Sequence, residues 1–282
     1  MRIGIDLGGT KIELIALDGS AAEIFRKRVP TPRGDYEATL RAVFDLVLEF
    51  EIHSKKHATV GIGIPGALSR VTGLVKNANS TCLIGHDLKG DLEKLLEREI
   101  RIANDANCFA LSEAVDGAGK GAEVVFGVIL GTGVGGGIVV RGEVLAGPNA
   151  IAGEWGHNPL PLPRPEDLPL PDCYCGRKGC IEAYLSGPAL QRDPDMARYE
   201  ERLARALAGV INILDPDVIV LGGGISNLQR LYANVPVLWR PYVFSDHVAT
   251  RLMPPVHGDS SGVRGAAWLW GRRMRKPRGG RS

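Results

Sequence analysis

No apolar run in these 282 residues approaches the length that a bilayer-crossing helix requires, so no membrane span is expected. Nor is there an excess of one charge. Lys and Arg number 34 against 32 Asp and Glu, for a net charge of +2. Six of the cations lie in residues 271–282, which hold no acid, so the rest of the chain carries about −4 and offers no nucleic-acid surface. That basic end reads as a solvated terminal tail. A secretory leader is also missing: Met1 runs directly into the strand pattern Arg-Ile-Gly-Ile-Asp, and the expected compartment is the cytoplasm. Two nucleotide-binding signatures are absent. There is no Gly-x-x-x-x-Gly-Lys-Ser/Thr loop, and the one early glycine turn leads into a strand rather than the helix that a dinucleotide fingerprint needs. Only five residues precede that turn's Asp6, which leaves no room there for a helix-turn-helix.

What is present is an alternation of strands and helices. Residues 2–7, 11–17 and 23–29 read as strands, with Gly8-Gly9-Thr10 turning the first into the second. Residues 35–50 read as a helix with Leu40, Val43, Phe44, Val47 and Leu48 on one face. A strand at 59–64, a helix at 87–98, a strand at 100–103 and a helix from Asp105 to Val115 follow. A second unit starts with strand 124–130, the glycine run 131–136 and strand 137–141, so the strand–glycine turn–strand of residues 3–16 recurs at 125–140. Helix 196–214, strand 217–221 and helix 263–270 complete the chain. The alternation predicts an α/β protein, and the two similar starts predict two lobes around a cleft. Residues 1–115, completed by the C-terminal helix 263–271, are expected to form the smaller lobe. Residues 116–262 are expected to form the larger one, and 272–282 the tail.

Two glycine turns read as phosphate cradles. Asp6-Leu-Gly8-Gly9-Thr10-Lys11 offers converging backbone N–H groups, a hydroxyl on Thr10 and a carboxylate on Asp6 that suits magnesium. Gly131-Thr132-Gly133-Val134-Gly135-Gly136-Gly137 offers the same again. One such turn alone is equally well an ordinary hairpin; two in one chain are harder to dismiss. Asn104-Asp105-Ala-Asn107 sets a carboxylate among amides at a helix start. Such a group suits the proton acceptor in phosphoryl transfer, and it suits plain helix capping as well. Glu154, in Gly-Glu-Trp-Gly-His157, and Glu182 supply carboxylates of the kind that read sugar hydroxyls. Asn77 and Asn79 add amides on a loop, where turn chemistry accounts for Asn77.

Three of the five cysteines fall in Cys173-Tyr-Cys175-Gly-Arg-Lys-Gly-Cys180, with His157 sixteen positions upstream. Three thiolates and an imidazole make a closed tetrahedral set for a structural zinc. A disulfide with a spare thiol is the alternative, but Cys173 and Cys175 are too close to pair easily and nothing else suggests export. Cys82 and Cys108 read as small apolar residues. The stretch between His157 and Cys173 carries Pro159, Pro161, Pro163, Pro165, Pro169 and Pro171. Prolines remove backbone donors, so helix or sheet bonding is not expected there, and a metal would fix both ends.

Taken together, these motifs resemble the ROK family, over nearly the whole chain. The resemblance rests on the turn at 6–11, Gly61-Ile-Gly-Ile-Pro-Gly66, Asn104-Asp-Ala-Asn107, the run 131–137, Gly153-Glu-Trp-Gly-His157 and Cys173-x-Cys175-Gly-x-x-Gly-Cys180-x-Glu182. Residues 75–81, 211–224 and 257–268 are similar to bacterial fructokinases of the manno(fructo)kinase type. The resemblance implies an actin-like (ribonuclease H-like) two-lobed ATPase fold, a homodimer, and ATP with magnesium. Asp105 would act as base on a primary hydroxyl. Asn79, Asn104, Asp105, Glu154, His157 and Glu182 would contact the sugar. Asp6, Gly8, Gly9, Thr10, Lys11, Gly131, Thr132, Gly133, Gly135 and Gly136 would serve ATP and magnesium, with Gly223 and Gly224 near the adenosine. His157, Cys173, Cys175 and Cys180 would hold zinc. Fructose is the expected acceptor, mannose the second, with glucose or an N-acetylhexosamine as the alternative; a sugar-sensing regulator lacks its DNA-binding element. Where family members carry a longer helical segment, residues 186–195 read as a short Gly/Pro-containing bridge.

Overall fold

The chain builds the same sheet twice. In the computed structural model, which describes residues 1–78 and 80–271, β1 (Arg2–Leu7) and β2 (Lys11–Leu17) pair antiparallel, and β3 (Glu23–Pro30) extends them. Asn79 and the basic tail 272–282 lie outside the described residues. After α1 (Tyr36–Ser54), β4 (Thr59–Ile64) returns parallel to β1. A two-stranded ribbon of β5 (Ala67–Leu68) and β6 (Val75–Lys76) follows. Then come α2 (Leu88–Leu96) and β7 (Ile100–Asn104), which lies parallel to β4. The first sheet therefore runs β3-β2-β1-β4-β7.

Helix α3 (Asp105–Val115) leads to the second sheet. There β8 (Val124–Leu130) and β9 (Val134–Val140) form the antiparallel pair, and β10 (Glu143–Val144) extends it. Helices α4 (Ile181–Leu185), α5 (Gly187–Arg192) and α6 (Met196–Leu214) precede β11 (Val218–Gly222), which runs parallel to β8. Helix α7 (Arg230–Leu238), strand β12 (Arg251–Met253) beside β11, and α8 (Ser261–Trp268) complete it. The second sheet runs β10-β9-β8-β11-β12, the first sheet's order and strand directions over again. This doubled α/β arrangement is that of the actin-like ATPase fold. Among the described residues no helix is long and apolar enough to cross a membrane.

Burial explains most of the elements and corrects some expectations. The buried stripe of α1 is Tyr36, Leu40, Val43, Val47 and Phe50, a spacing of three and four. Leu48, expected on that face, is exposed instead, and Leu46 is buried. Residues 134–136, expected in the glycine turn, pair in β9 opposite Leu130, Ile129 and Val128. Residues 187–192, expected as a bridge, form α5, because the Ser186 hydroxyl accepts the Ala189 N–H and Pro188 sits in the first turn, where its missing donor costs nothing.

The proline-rich stretch is also better tied than its composition suggests. Its two ends are zipped by backbone bonds, Leu160 N–H to Gly179 O and Gly179 N–H to Pro171 O, through residues that keep their donors. In its middle, buried Asp167 accepts from Arg202 Nε at 2.7 Å and Arg205 Nη2 at 2.8 Å, both on α6. Burial alone would raise the Asp167 carboxyl. The Arg164 N–H and the two guanidinium groups outweigh it and hold the carboxyl below its usual range.

Helices α3 and α8 join the two halves. Helix α8 lies on β1 and β4, α3 lies on β8 and β9, and the two helices pack on each other. Their contact is made by backbone: a Cβ at Gly265 would stand 1.6 Å from the Cys108 carbonyl oxygen. Alanine favours a helix over glycine by about 1 kcal/mol, yet here it must push the helices apart, at about 1–3 kcal/mol or more. Gly265→Ala is therefore expected to lower stability despite its better propensity, and a fall in the urea-unfolding midpoint checks this.

Candidate active site

A cleft of ≈ 710 Å³ draws its walls from both halves of the chain. Pro65, Gly66, Ala78, Asn104 and Asp105 line it on one side. Gly131 to Gly136, Glu154, His157, Tyr174, Arg177 and Glu182 line it on the other. The start of α3 sits at its centre. Asn104 ends β7 and caps α3: its Oδ1 accepts from Ala106 N at 3.0 Å, and its Nδ2 donates to Gly66 O at 3.1 Å. The two readings of the Asn-Asp pair thus divide between its members. Asn104 performs the cap, and Asp105 stands in the first turn with Oδ1 on the Ala106 N–H at 2.8 Å.

Electrostatics single out the same point. Burial pushes the Asp105 carboxyl up, and the charge of Glu154 adds to it against the Ala106 N–H. Asp6 is raised to about 6, first by burial and then by the charge of Asp105. Glu13, its cross-strand partner on β2, contributes as well. A floor of mutually repelling carboxylates is a site that a cation would relieve. Asp6 is a carboxylate that could hold a hard cation such as magnesium, though it is not among the residues that line the cleft.

The glycine turns are placed differently from each other. Gly131, Thr132, Gly133, Gly135 and Gly136 line the main cleft. Gly8 and Gly9 border a separate cavity of ≈ 180 Å³ with Thr31 and Ser80. Thr10 lends its carbonyl to Thr31 N, and Lys11 pairs with Glu13 at 3.6 Å. Gly223 and Gly224 follow β11 outside the lining of either cavity. At Gly223, with φ of +81°, a Cβ would strike the Leu130 carbonyl at 2.4 Å.

Glu182 is buried in the first turn of α4 and accepts the Val134 N–H at 2.9 Å. A Cβ at Gly133 would lie 2.8 Å from the same Oε2, so a side chain there would make the carboxylate shift. Its other oxygen is 4.0 Å from Cys173 Sγ. Glu182 therefore ties the second glycine turn to the cysteine cluster.

The donor atoms of His157, Cys173, Cys175 and Cys180 all lie within 4.8 Å of one another. Cys175 and Cys180 sulfurs are 3.7 Å apart, and Cys173 Sγ is 3.6 Å from His157 Nδ1. Ligand bonds of about 2.3 Å to sulfur and about 2.0–2.1 Å to nitrogen, in a tetrahedron, give edges of about 3.8 and about 3.6 Å. The four residues fit zinc. All five cysteines are free, so the disulfide alternative is not formed. Among the polar residues of the cleft, Tyr174 and Arg177 were not singled out from the sequence. The only signal for Tyr174 was its position between two ligand cysteines.

The ROK family model matches residues 2–196 and 193–273. N-acetyl-D-glucosamine kinase of Yersinia pseudotuberculosis serotype IB (strain PB1/+) is 40% identical over 299 residues, covering 95% of this chain and 98% of that protein. A ROK hexokinase from Thermus thermophilus superposes with a TM-score of 0.83 at 29% identity, covering 95% and 97% of the two chains. A ROK family glucokinase from Streptomyces griseus, solved with glucose and AMPPNP, gives 0.74 at 26% over 95% and 98%. The 299 aligned positions exceed this chain's 282 residues, so the relative carries residues that this chain lacks. The family match divides at 193–196, between α5 and α6.

The carboxylate floor makes a direct prediction. In carboxyl 13C NMR, Asp6 is expected to titrate near pH 6, and Asp105→Asn, by removing a like charge, is expected to move it down. An unmoved titration would separate the two groups.

Proposed function

The chain belongs to the ROK family, and from that premise we propose that it is an ATP-dependent sugar kinase acting on the primary hydroxyl of a hexose, with N-acetyl-D-glucosamine the acceptor its relatives support best. The observation that carries the reading is Asp105. It is a half-buried carboxylate with a raised pKa, at the mouth of a helix, in a cleft it shares with a glycine turn and two further carboxylates. Phosphoryl transfer asks a protein mainly for alignment, charge neutralisation and a proton acceptor.

In this reading the acceptor lies between Asn104 and Asp105 on one wall and Glu154, His157 and Glu182 on the other. Asp105 takes the proton of the primary hydroxyl as its oxygen attacks, and a raised pKa makes it a better base than a free aspartate. The turns at 8–11 and 131–136 hold the phosphates, Asp6 serves the magnesium, and Gly223 and Gly224 flank the adenosine. Asn79 joins the acceptor's amide contacts. The zinc set 157, 173, 175 and 180 holds Glu182 and Glu154 on one rigid loop. The two sheets act as lobes that close on the nucleotide, residues 1–115 with α8 against 116–262. The active form is a cytoplasmic homodimer.

The expectation of fructose gives way here to its alternative, because kinases of N-acetyl-D-glucosamine are the relatives near 40% identity. Fructose remains a second reading, favoured by residues 75–81, 211–224 and 257–268, which are similar to the manno(fructo)kinase type. A panel of N-acetyl-D-glucosamine, N-acetyl-D-mannosamine, glucose, mannose and fructose with ATP decides between them. The highest kcat/KM is expected for N-acetyl-D-glucosamine. Preference for fructose would return the second reading, and no phosphorylation of any hexose would overturn the kinase.

A further inference from the structure

One lysine fastens the two walls of the cleft to each other. Lys76 ends β6, and its Nζ donates to the Asn149 carbonyl oxygen at 2.9 Å. Among the described residues this is the one hydrogen bond that joins residues 65–105 to residues 131–182. The ammonium bonds a carbonyl rather than a carboxylate, and its flexible stem lets the contact open and remake.

Each end of the bond is tied to one wall. On the Lys76 side, a Cβ at Gly66 would stand 2.5 Å from the Lys76 carbonyl oxygen and 2.9 Å from the Ala78 nitrogen, so residues 76–78 lie directly on Gly66. Gly66 O in turn accepts from Asn104 Nδ2 at 3.1 Å, next to Asp105. On the Asn149 side, the loop is closed by Ala150 N–H to Gly147 O, Ala152 N–H to Ala146 O and Glu154 N–H to Ile151 O. Glu154 stands at its end, and Trp155 Nε1 fixes that end to Gly135 O at 3.0 Å. A path of contacts thus leads from the Asp105 wall through Lys76 and Asn149 to Glu154.

We infer that Lys76 is a positioning residue for the acceptor: its bond to Asn149 straps the wall of Asp105 to the wall of Glu154 and sets the spacing at which both face the bound hexose. The inference rests on the hexose-kinase reading and adds to it a residue that acts through the walls rather than on the sugar. The positive charge strengthens the bond over a neutral donor, while its place at the rim lets water compete with it. Such a strap favours the gripped arrangement and still opens for entry and release. The turn at 8–11 borders a different cavity, so the grip on the nucleotide is expected to be spared.

Lys76→Met keeps the apolar stem and removes the ammonium. Three quantities are read on wild type and variant: the Kd of the best hexose without nucleotide, by calorimetry; KM for hexose and for ATP; and the thermal midpoint. Loss of one charge-assisted hydrogen bond at the rim is expected to raise the hexose Kd and KM about three- to tenfold. KM for ATP is expected to stay within about twofold, and the thermal midpoint to stay unchanged, because the nucleotide and the core lie outside the strap. An unchanged hexose Kd, with the wild type active, overturns this inference and leaves the kinase reading standing. Equal losses for hexose and ATP, with a lowered midpoint, overturn it too, since Lys76 would then serve only the fold. A wild type that phosphorylates no hexose removes the reading beneath both.

Discussion

Like charges gathered in and beside one partly dehydrated cleft are the constraint from which the rest of this structure follows. Asp105 is half-buried with its carboxyl pushed up, Glu154 adds to that through its charge, and Asp6 is pushed to about 6 with Asp105 as one cause. Left alone, such a group of carboxylates opposes folding, because burial penalises each charge and each charge penalises the next. The fold accepts that opposition at one place, where a metal–phosphate complex and a hydroxyl proton would relieve it. The remaining polar groups near the site are arranged to leave Asp105 available. Asn104 takes the helix cap, so its neighbour need not.

The surrounding architecture holds this group still. Helix α3 carries Asp105 at its first position, and its flank is pressed against α8 closely enough that Gly265 admits no side chain. On the opposite wall, Glu182 bonds the Val134 amide and reaches toward Cys173. The cysteine loop and the glycine turn therefore move together. Asp167, held by Arg202 and Arg205, anchors the proline-rich stretch from the far side. Removing one partner from such a buried pair leaves an uncompensated charge, so this ion cluster fixes the loop's position, and a zinc at the four donors would fix it a second time.

Much of this could be read along the chain. The strands of both sheets show as apolar runs punctuated by glycine, and the recurrence of residues 3–16 at 125–140 is the doubled sheet itself. The cysteine spacing pointed to one cluster, and the four donor atoms do lie within 4.8 Å of one another. Other features left little local trace. Helix α5 is six residues long, α7 carries Pro236 in its interior, and β12 has three residues, so none has the length that periodicity needs. Leu46 belongs to the buried stripe because it follows Val43 by three residues, whereas Leu48 follows Val47 by one and points away from it. The pairing of Asp167 with two arginines more than thirty positions away is a tertiary event, invisible to spacing. Tyr174 was hidden by the stronger signal of the cysteines beside it. Choice of sugar was the least legible, since neighbouring hydroxyl patterns differ by atom placement rather than by residue type.

The central claim, that the half-buried carboxylate at the mouth of α3 removes the acceptor's proton, is tested most directly by the steady-state kcat of Asp105→Asn, with circular dichroism confirming the fold. The amide preserves shape and cannot accept the proton. The account requires kcat to fall about 10²- to 10⁴-fold with acceptor affinity largely kept. Turnover near the parental rate in a folded variant would contradict it.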